Sequence, residues 1–83
     1  MATVRNINTK PTFWNELLAL PRRILPVVRE KIDWLTADPL PDGDLKKKLK
    51  GQDGIYRLKV GDYRLLYTFG DTWIRLLAIR PRR

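Results

Sequence analysis

The segment YRLKVGDYRLLY, residues 56–67, carries Arg57, Lys59 and Arg64 on two apolar runs joined by Gly61-Asp62. Guanidinium forks match the oxygens of a phosphate and keep their charge near neutral pH. A lysine ammonium is a point charge that gives up its proton more readily when other cations crowd it. Together such groups can grip a phosphodiester and stabilise the charge that builds on it during cleavage. With RNA, the 2′-hydroxyl can supply the nucleophile, so the protein need not. Cleavage and simple binding of RNA or DNA both fit these residues at this level.

Composition narrows the remaining chemistry. The chain has no histidine, cysteine or serine. Thiol nucleophiles, disulfides, cysteine–zinc sites and Ser-His-Asp catalysis are therefore excluded, and the commonest general base is missing. Any catalysis must come from Lys, Arg, Tyr, Asp, Glu or Thr, and neither a metal nor a cofactor is expected. Lysine and arginine number 17 against 9 acidic residues, a net charge of +8 on 83 residues. That excess points to a polyanion, RNA, DNA or an anionic membrane surface, with nucleic acid weighed ahead of a soluble protein that is merely basic. No signal peptide, membrane span or lipidation motif is visible, which predicts a protein of the reducing cytoplasm.

The elements that must position these cations follow from periodicity. Residues 2–8 read as a first strand. A helix with Pro11 in its first turn places Phe13, Leu17 and Leu20 on one face and stops at Pro21. A second helix starts near Pro26, repeats Ile24, Val28, Ile32 and Leu35, and ends near Ala37 before Asp38-Pro39. Trp14 and Trp34 are expected in the core or between the helices. After the loop DPLPDGD, Lys46, Lys47, Lys48 and Lys50 form a basic cluster. It reads either as a solvated helical turn or as phosphate contacts beside a nucleic-acid site. Three strands close the chain: GIYRLKV, YRLLYTF and WIRLLAIR.

A two-residue turn at Gly61-Asp62 sets the hairpin register. Val60 then faces Tyr63, Lys59 faces Arg64, Leu58 faces Leu65 and Arg57 faces Leu66. Alternation turns Tyr56, Leu58, Val60, Tyr63, Leu65, Tyr67 and Phe69 towards the helices and Arg57, Lys59 and Arg64 away from them. A second tight turn puts Arg75 on that open face, with Trp73 and Leu77, and sends Ile74, Leu76 and Ala78 to the core. Lys59 directly opposite Arg64 is unfavourable by about 0.2–1 kcal/mol. An exposed basic face without a role and an anion site both remain open on this argument.

The pattern LKGQDGIYRLKVGDYRLLYTF resembles the central segment of RelE/ParE-type toxins of bacterial toxin–antitoxin systems. It has the Leu-Lys-Gly lead-in, the YRL strand, GDYR, an apolar strand and then a strand ending in a basic cluster. The resemblance covers essentially the whole chain and is strongest from Leu49 to Arg82. It implies one α+β domain over residues 1–83, with an N-terminal strand and a two-helix hairpin packed on a small twisted antiparallel sheet, β-α-α-β-β-β. RelE-like members cleave mRNA in the ribosomal A site by 2′-hydroxyl attack on the adjacent phosphate. ParE-like members share the fold and target DNA gyrase. Both kinds are neutralised by a cognate antitoxin.

Carried over residue by residue, the resemblance makes Lys59 the catalytic lysine and Arg64 the contact to the scissile phosphate. Arg82 matches a late arginine that stabilises the transition state or the leaving group. Arg57 stands where some members have a second lysine. As a guanidinium it can bind phosphate but cannot serve as a base. Lys46, Lys47, Lys48, Lys50 and Arg75 join it as expected phosphate contacts. The family's C-terminal tyrosine has no counterpart before Arg83. The resemblance therefore also accommodates a fragment or domain of a larger protein, such as a helicase fusion, that docks on nucleic acid or ribosomes without cutting.

Overall fold

The computed structural model describes residues 5–81. In chain order these form β1 (Asn6–Thr9), α1 (Pro11–Leu18), a short 3-10 turn (Arg22–Ile24), α2 (Leu25–Ala37), β2 (Lys46–Lys48), β3 (Tyr56–Val60), β4 (Tyr63–Phe69) and β5 (Trp73–Pro81). Pro11 and Pro26 each sit in the first turn of a helix, where no intrahelical hydrogen bond is lost. At 8 residues α1 is too short to persist alone. It is held because Phe13 is fully buried against the sheet and Leu17 packs beside it.

The five strands are ordered β1-β5-β4-β3-β2. The expected all-antiparallel sheet is corrected in one respect: β1 runs parallel to β5. The chain leaves β1 through both helices before it reaches the sheet again, and such a crossover is what a parallel pairing requires. The lysine cluster is corrected as well. It forms not a helical turn but a short edge strand, with Lys46, Lys47 and Lys48 opposite Leu58, Arg57 and Tyr56. Asp42 holds the turn that leads into this strand. Its Oδ1 accepts the N–H groups of Asp44 and Lys46 at 2.8 and 3.1 Å. Those donors also hold the Asp42 carboxyl below its ordinary pKa.

The core lies between the helices and one sheet face. It contains Phe13, Val28, Leu35, Leu58, Val60, Leu65, Tyr67, Ile74, Leu76 and Ile79. Trp34 packs against this cluster, but Trp14 is 52% exposed, contrary to the expected interior position. Phe13 takes the inward place on α1, which turns its neighbour outward. Trp14, Leu17 and Leu18 then line an open apolar groove of about 400 Å³ with Ile7, Val28 and Ile32.

Tyr67 ties the sheet to the loop after α2. Its buried hydroxyl donates to the Pro39 carbonyl at 2.7 Å. Burial raises its pKa well above the ordinary tyrosine value, so the donor stays protonated. Tyr67→Phe would leave that carbonyl without its partner. It should cost about 1–3 kcal/mol of stability in a urea-unfolding measurement.

Candidate nucleic-acid interface

The open face of the sheet is built by the hairpin whose turn begins at Gly61. A φ of +58° there suits glycine, and the tight turn holds β3 and β4 in register. Lys59 pairs with Arg64, Arg57 with Leu66, and Leu58 with Leu65. Leu58 and Leu65 are fully buried. Alternation therefore carries Arg57, Lys59 and Arg64 to the other side.

A β-bulge extends this cation row. The pairing of β4 with β5 shifts between Leu66 and Tyr67, whose partners are Ala78 and Leu76. Leu77 is the extra residue. Beyond it the facing of β5 changes: Ile79 enters the core opposite Leu65, and Arg80 stands opposite Arg64. Strict alternation would have sent Arg80 towards the helices. Ala78 is buried, as alternation predicts, and its partner across the strands is Leu66. The result is a row Lys59–Arg64–Arg80 across three adjacent strands, beside a second row Lys47–Arg57–Leu66–Ala78. Bulges commonly re-aim a side chain in this way.

Few counter-charges meet these cations. Among the described residues, Arg57, Lys59, Arg64 and Arg75 form no ion pair. Among the same residues, the Nε atoms of Arg64 and Arg75 are shielded from solvent and have no hydrogen-bond partner. An unsatisfied buried donor is unfavourable, and an incoming oxygen acceptor would relieve it. Arg80 alone is tethered, its Nε 2.9 Å from Oε2 of Glu16. The same carboxylate accepts the Ile79 N–H at Oε1, 3.3 Å away.

The lysines separate. Lys47 shares the open face with Arg57, but Lys46 points the opposite way and is 1% exposed. Its ammonium donates to the Asp38 carbonyl at 2.7 Å and lies 4.1 Å from the Trp34 ring centroid. Its expected role as a phosphate contact is therefore corrected: it fastens the edge strand to α2. Lys48, two residues on, lies on that same side by alternation, and Lys50 is exposed in the following loop. Arg75 lies on the open face opposite Thr68, farther along β4. Arg82 lies outside the described residues.

The sequence of residues 7–83 matches the family model described as the ParE toxin of the type II toxin–antitoxin system parDE. The chain belongs to the RelE/ParE toxin superfamily. A curated relative, RelE1 of Methanocaldococcus jannaschii, is 32% identical over 63 residues, covering 75% of this chain and 70% of the relative. The RelE–RelB complex of Pyrococcus horikoshii contains a chain with TM-score 0.79 and 27% identity, covering 96% of this chain and 97% of that one. The toxin–antitoxin complex RelBE2 of Mycobacterium tuberculosis gives TM-score 0.79 at 29% identity, covering 96% of this chain and 100% of that one.

Within this toxin domain, Arg80 is the cation that strict strand alternation missed. A signal was present in the four consecutive apolar residues Leu76, Leu77, Ala78 and Ile79, which break the alternation just before a charge. Glu16 is the other addition, since nothing in its local sequence ties α1 to β5. Glu16→Gln keeps an acceptor for the Ile79 N–H but removes the charge that restrains Arg80. It should tighten binding of a short single-stranded oligonucleotide by roughly two- to fivefold at low salt, the scale of an exposed ion pair. The gain should shrink in filter-binding assays at high salt.

Proposed function

We propose that this domain is a RelE-like toxin that cleaves mRNA on the ribosome, with the open face of β3, β4 and β5 as its active surface. The observation that carries this reading is the Lys59–Arg64–Arg80 row with the Arg64 Nε unpartnered. Arg64 holds the scissile phosphate. Lys59 takes the proton of the neighbouring 2′-hydroxyl as that oxygen attacks phosphorus. The O2′–P bond forms and the bond from phosphorus to the 5′ oxygen breaks. The departing oxygen takes a proton from water, and the family resemblance nominates Arg82 to stabilise the charge on that leaving group without losing its own proton. Arg57 and Lys47 hold neighbouring phosphates by charge and hydrogen bonding. The site of action is the cytoplasm, where mRNA is translated.

The partner proposed for its control is a cognate antitoxin. The antitoxin-bound structures of its relatives support that reading, as does the groove lined by Ile7, Trp14, Leu17 and Leu18. An exposed apolar surface of this kind suits a protein partner.

Primer extension in a translating extract tests the cleavage reading. Cuts within translated mRNA, with little cutting of free RNA, are expected. Intact mRNA throughout would overturn it. The match to a model named for ParE supports a second reading, a poison of DNA gyrase. That activity would produce double-strand DNA breaks in place of mRNA cuts.

A further inference from the structure

The open face does not end at its cation rows. Along β4 it presents Arg64, Leu66 and Thr68 at alternate positions, and the next such position is Gly70. The space above Gly70 is filled by the indole of Trp73. A Cβ at Gly70 would come within 2.6 Å of the Trp73 Cε2 and closer still to Nε1. The ring thus lies across the end of β4 because residue 70 has no side chain. The turn that brings them together is closed by the Gly70 N–H, which donates to the Trp73 carbonyl at 2.9 Å. Trp73 nevertheless remains 43% exposed.

Arg75 stands between the two ends of this line. It pairs with Thr68, and among the described residues its Nε, like that of Arg64, is a shielded donor without a partner. From Arg64 to Gly70 the strand advances about 20 Å at about 3.3 Å per residue. A stacked single strand rising about 3.4 Å per nucleotide covers that distance in about six nucleotides, and an extended strand needs fewer. Phosphate-binding groups followed by an exposed aromatic plane are the two parts of a single-strand binding track. The cations follow the backbone, and a base stacks on the ring without sequence preference.

We infer that Trp73 is a base-stacking subsite for single-stranded RNA, several nucleotides along β4 from the phosphate held by Arg64, with Arg75 contacting an intervening phosphate. This rests on the RNA reading above and adds to it where the strand leaves the site. It also gives Gly70 a task, since any side chain there would displace the ring.

Fluorescence anisotropy tests the subsite with end-labelled 2′-O-methyl RNA, which binds without offering a 2′-hydroxyl for cleavage. The full chain is titrated with an oligonucleotide of about eight residues, longer than the estimated track, and with a dinucleotide. Trp73→Ala should weaken the longer oligonucleotide by about fivefold or more and leave the dinucleotide unchanged. Trp73→Phe should retain part of the affinity, and Gly70→Ala should resemble Trp73→Ala. Circular dichroism checks that each variant is folded. Quenching of intrinsic tryptophan fluorescence by the longer oligonucleotide, absent in Trp73→Phe, gives a second readout. Arg64→Ala should weaken both ligands. If it does while Trp73→Ala binds the longer oligonucleotide like the parent, the stacking subsite is wrong and the phosphate site stands. If neither variant alters binding, the RNA reading of this face fails as well.

Discussion

Arg64→Ala should reduce mRNA cleavage by about 10²–10³-fold, the scale of losing one preorganised contact to a charged transition state. The domain should still fold. Arg64 lies on the sheet face opposite the core, in the middle of a row with Lys59 on one side and Arg80 on the other. Its removal relieves two like-charge oppositions, each worth about 0.2–1 kcal/mol. Its shielded Nε gives up no hydrogen bond within the described residues. Stability should therefore hold or rise while activity falls. Cleavage is read by primer extension and stability by urea unfolding on the same preparation. A variant that cuts like the parent would remove Arg64 from the site. A variant that unfolds would show a structural debt at this position that the packing does not reveal.

The opposed changes in stability and activity bear on why the charges are gathered at all. Lys47 opposite Arg57, Lys59 opposite Arg64 and Arg64 opposite Arg80 are three unfavourable oppositions on one small sheet. A design for stability alone would have alternated their signs. Acidic residues are not lacking, but they lie elsewhere. Asp38 pairs with buried Lys46, and Asp42 caps the chain into β2. Among the described cations Glu16 pairs with Arg80, at the β5 side of the row. Among the described residues, no carboxylate pairs with the middle of the face.

Features set by local chemistry were legible in the sequence. The Gly61 turn determines which residues oppose one another, so the Lys59–Arg64 and Arg57–Leu66 pairs could be written down beforehand. Pro11, Pro26 and the Asp38-Pro39 step likewise mark helix ends through constraints on their own backbone. What escaped depends on contacts distant in sequence. The lysine run shows no strand periodicity by itself. It becomes a strand because Lys46 finds Asp38 and Trp34, and because β3 offers an unpaired edge. The parallel placement of β1 depends on the path of the two helices. Arg80 turns on a single extra residue, Leu77, and a period-two reading has no means of anticipating where one strand bulges against another.

Lys59→Arg separates two roles that Lys59→Ala would merge. In the proposed reaction both Lys59 and Arg64 bring positive charge to the scissile phosphate, but only a lysine can give up its proton and accept another. If Lys59 removes the 2′-hydroxyl proton, the arginine variant should bind RNA about as well as the parent. It should cleave slower by about 10²–10⁴-fold, the range of a positioned general base. Single-turnover cleavage on programmed ribosomes, with binding measured separately on 2′-O-methyl RNA, distinguishes these outcomes. Geometry favours a clean comparison, because Lys59 is half-buried on β3 beside the Gly61 turn and its side chain lies outside the core. Near-normal cleavage by Lys59→Arg would reduce Lys59 to a charge, and the proton would have to leave by another route. A large loss of both binding and cleavage would instead mean that guanidinium at this position disturbs Arg64, its direct partner across the strands. Lys59→Met would then be the informative variant, since it removes the charge with little change in bulk. With the base role correct, Lys59→Met should cleave no faster than Lys59→Arg, because neither side chain can take the proton.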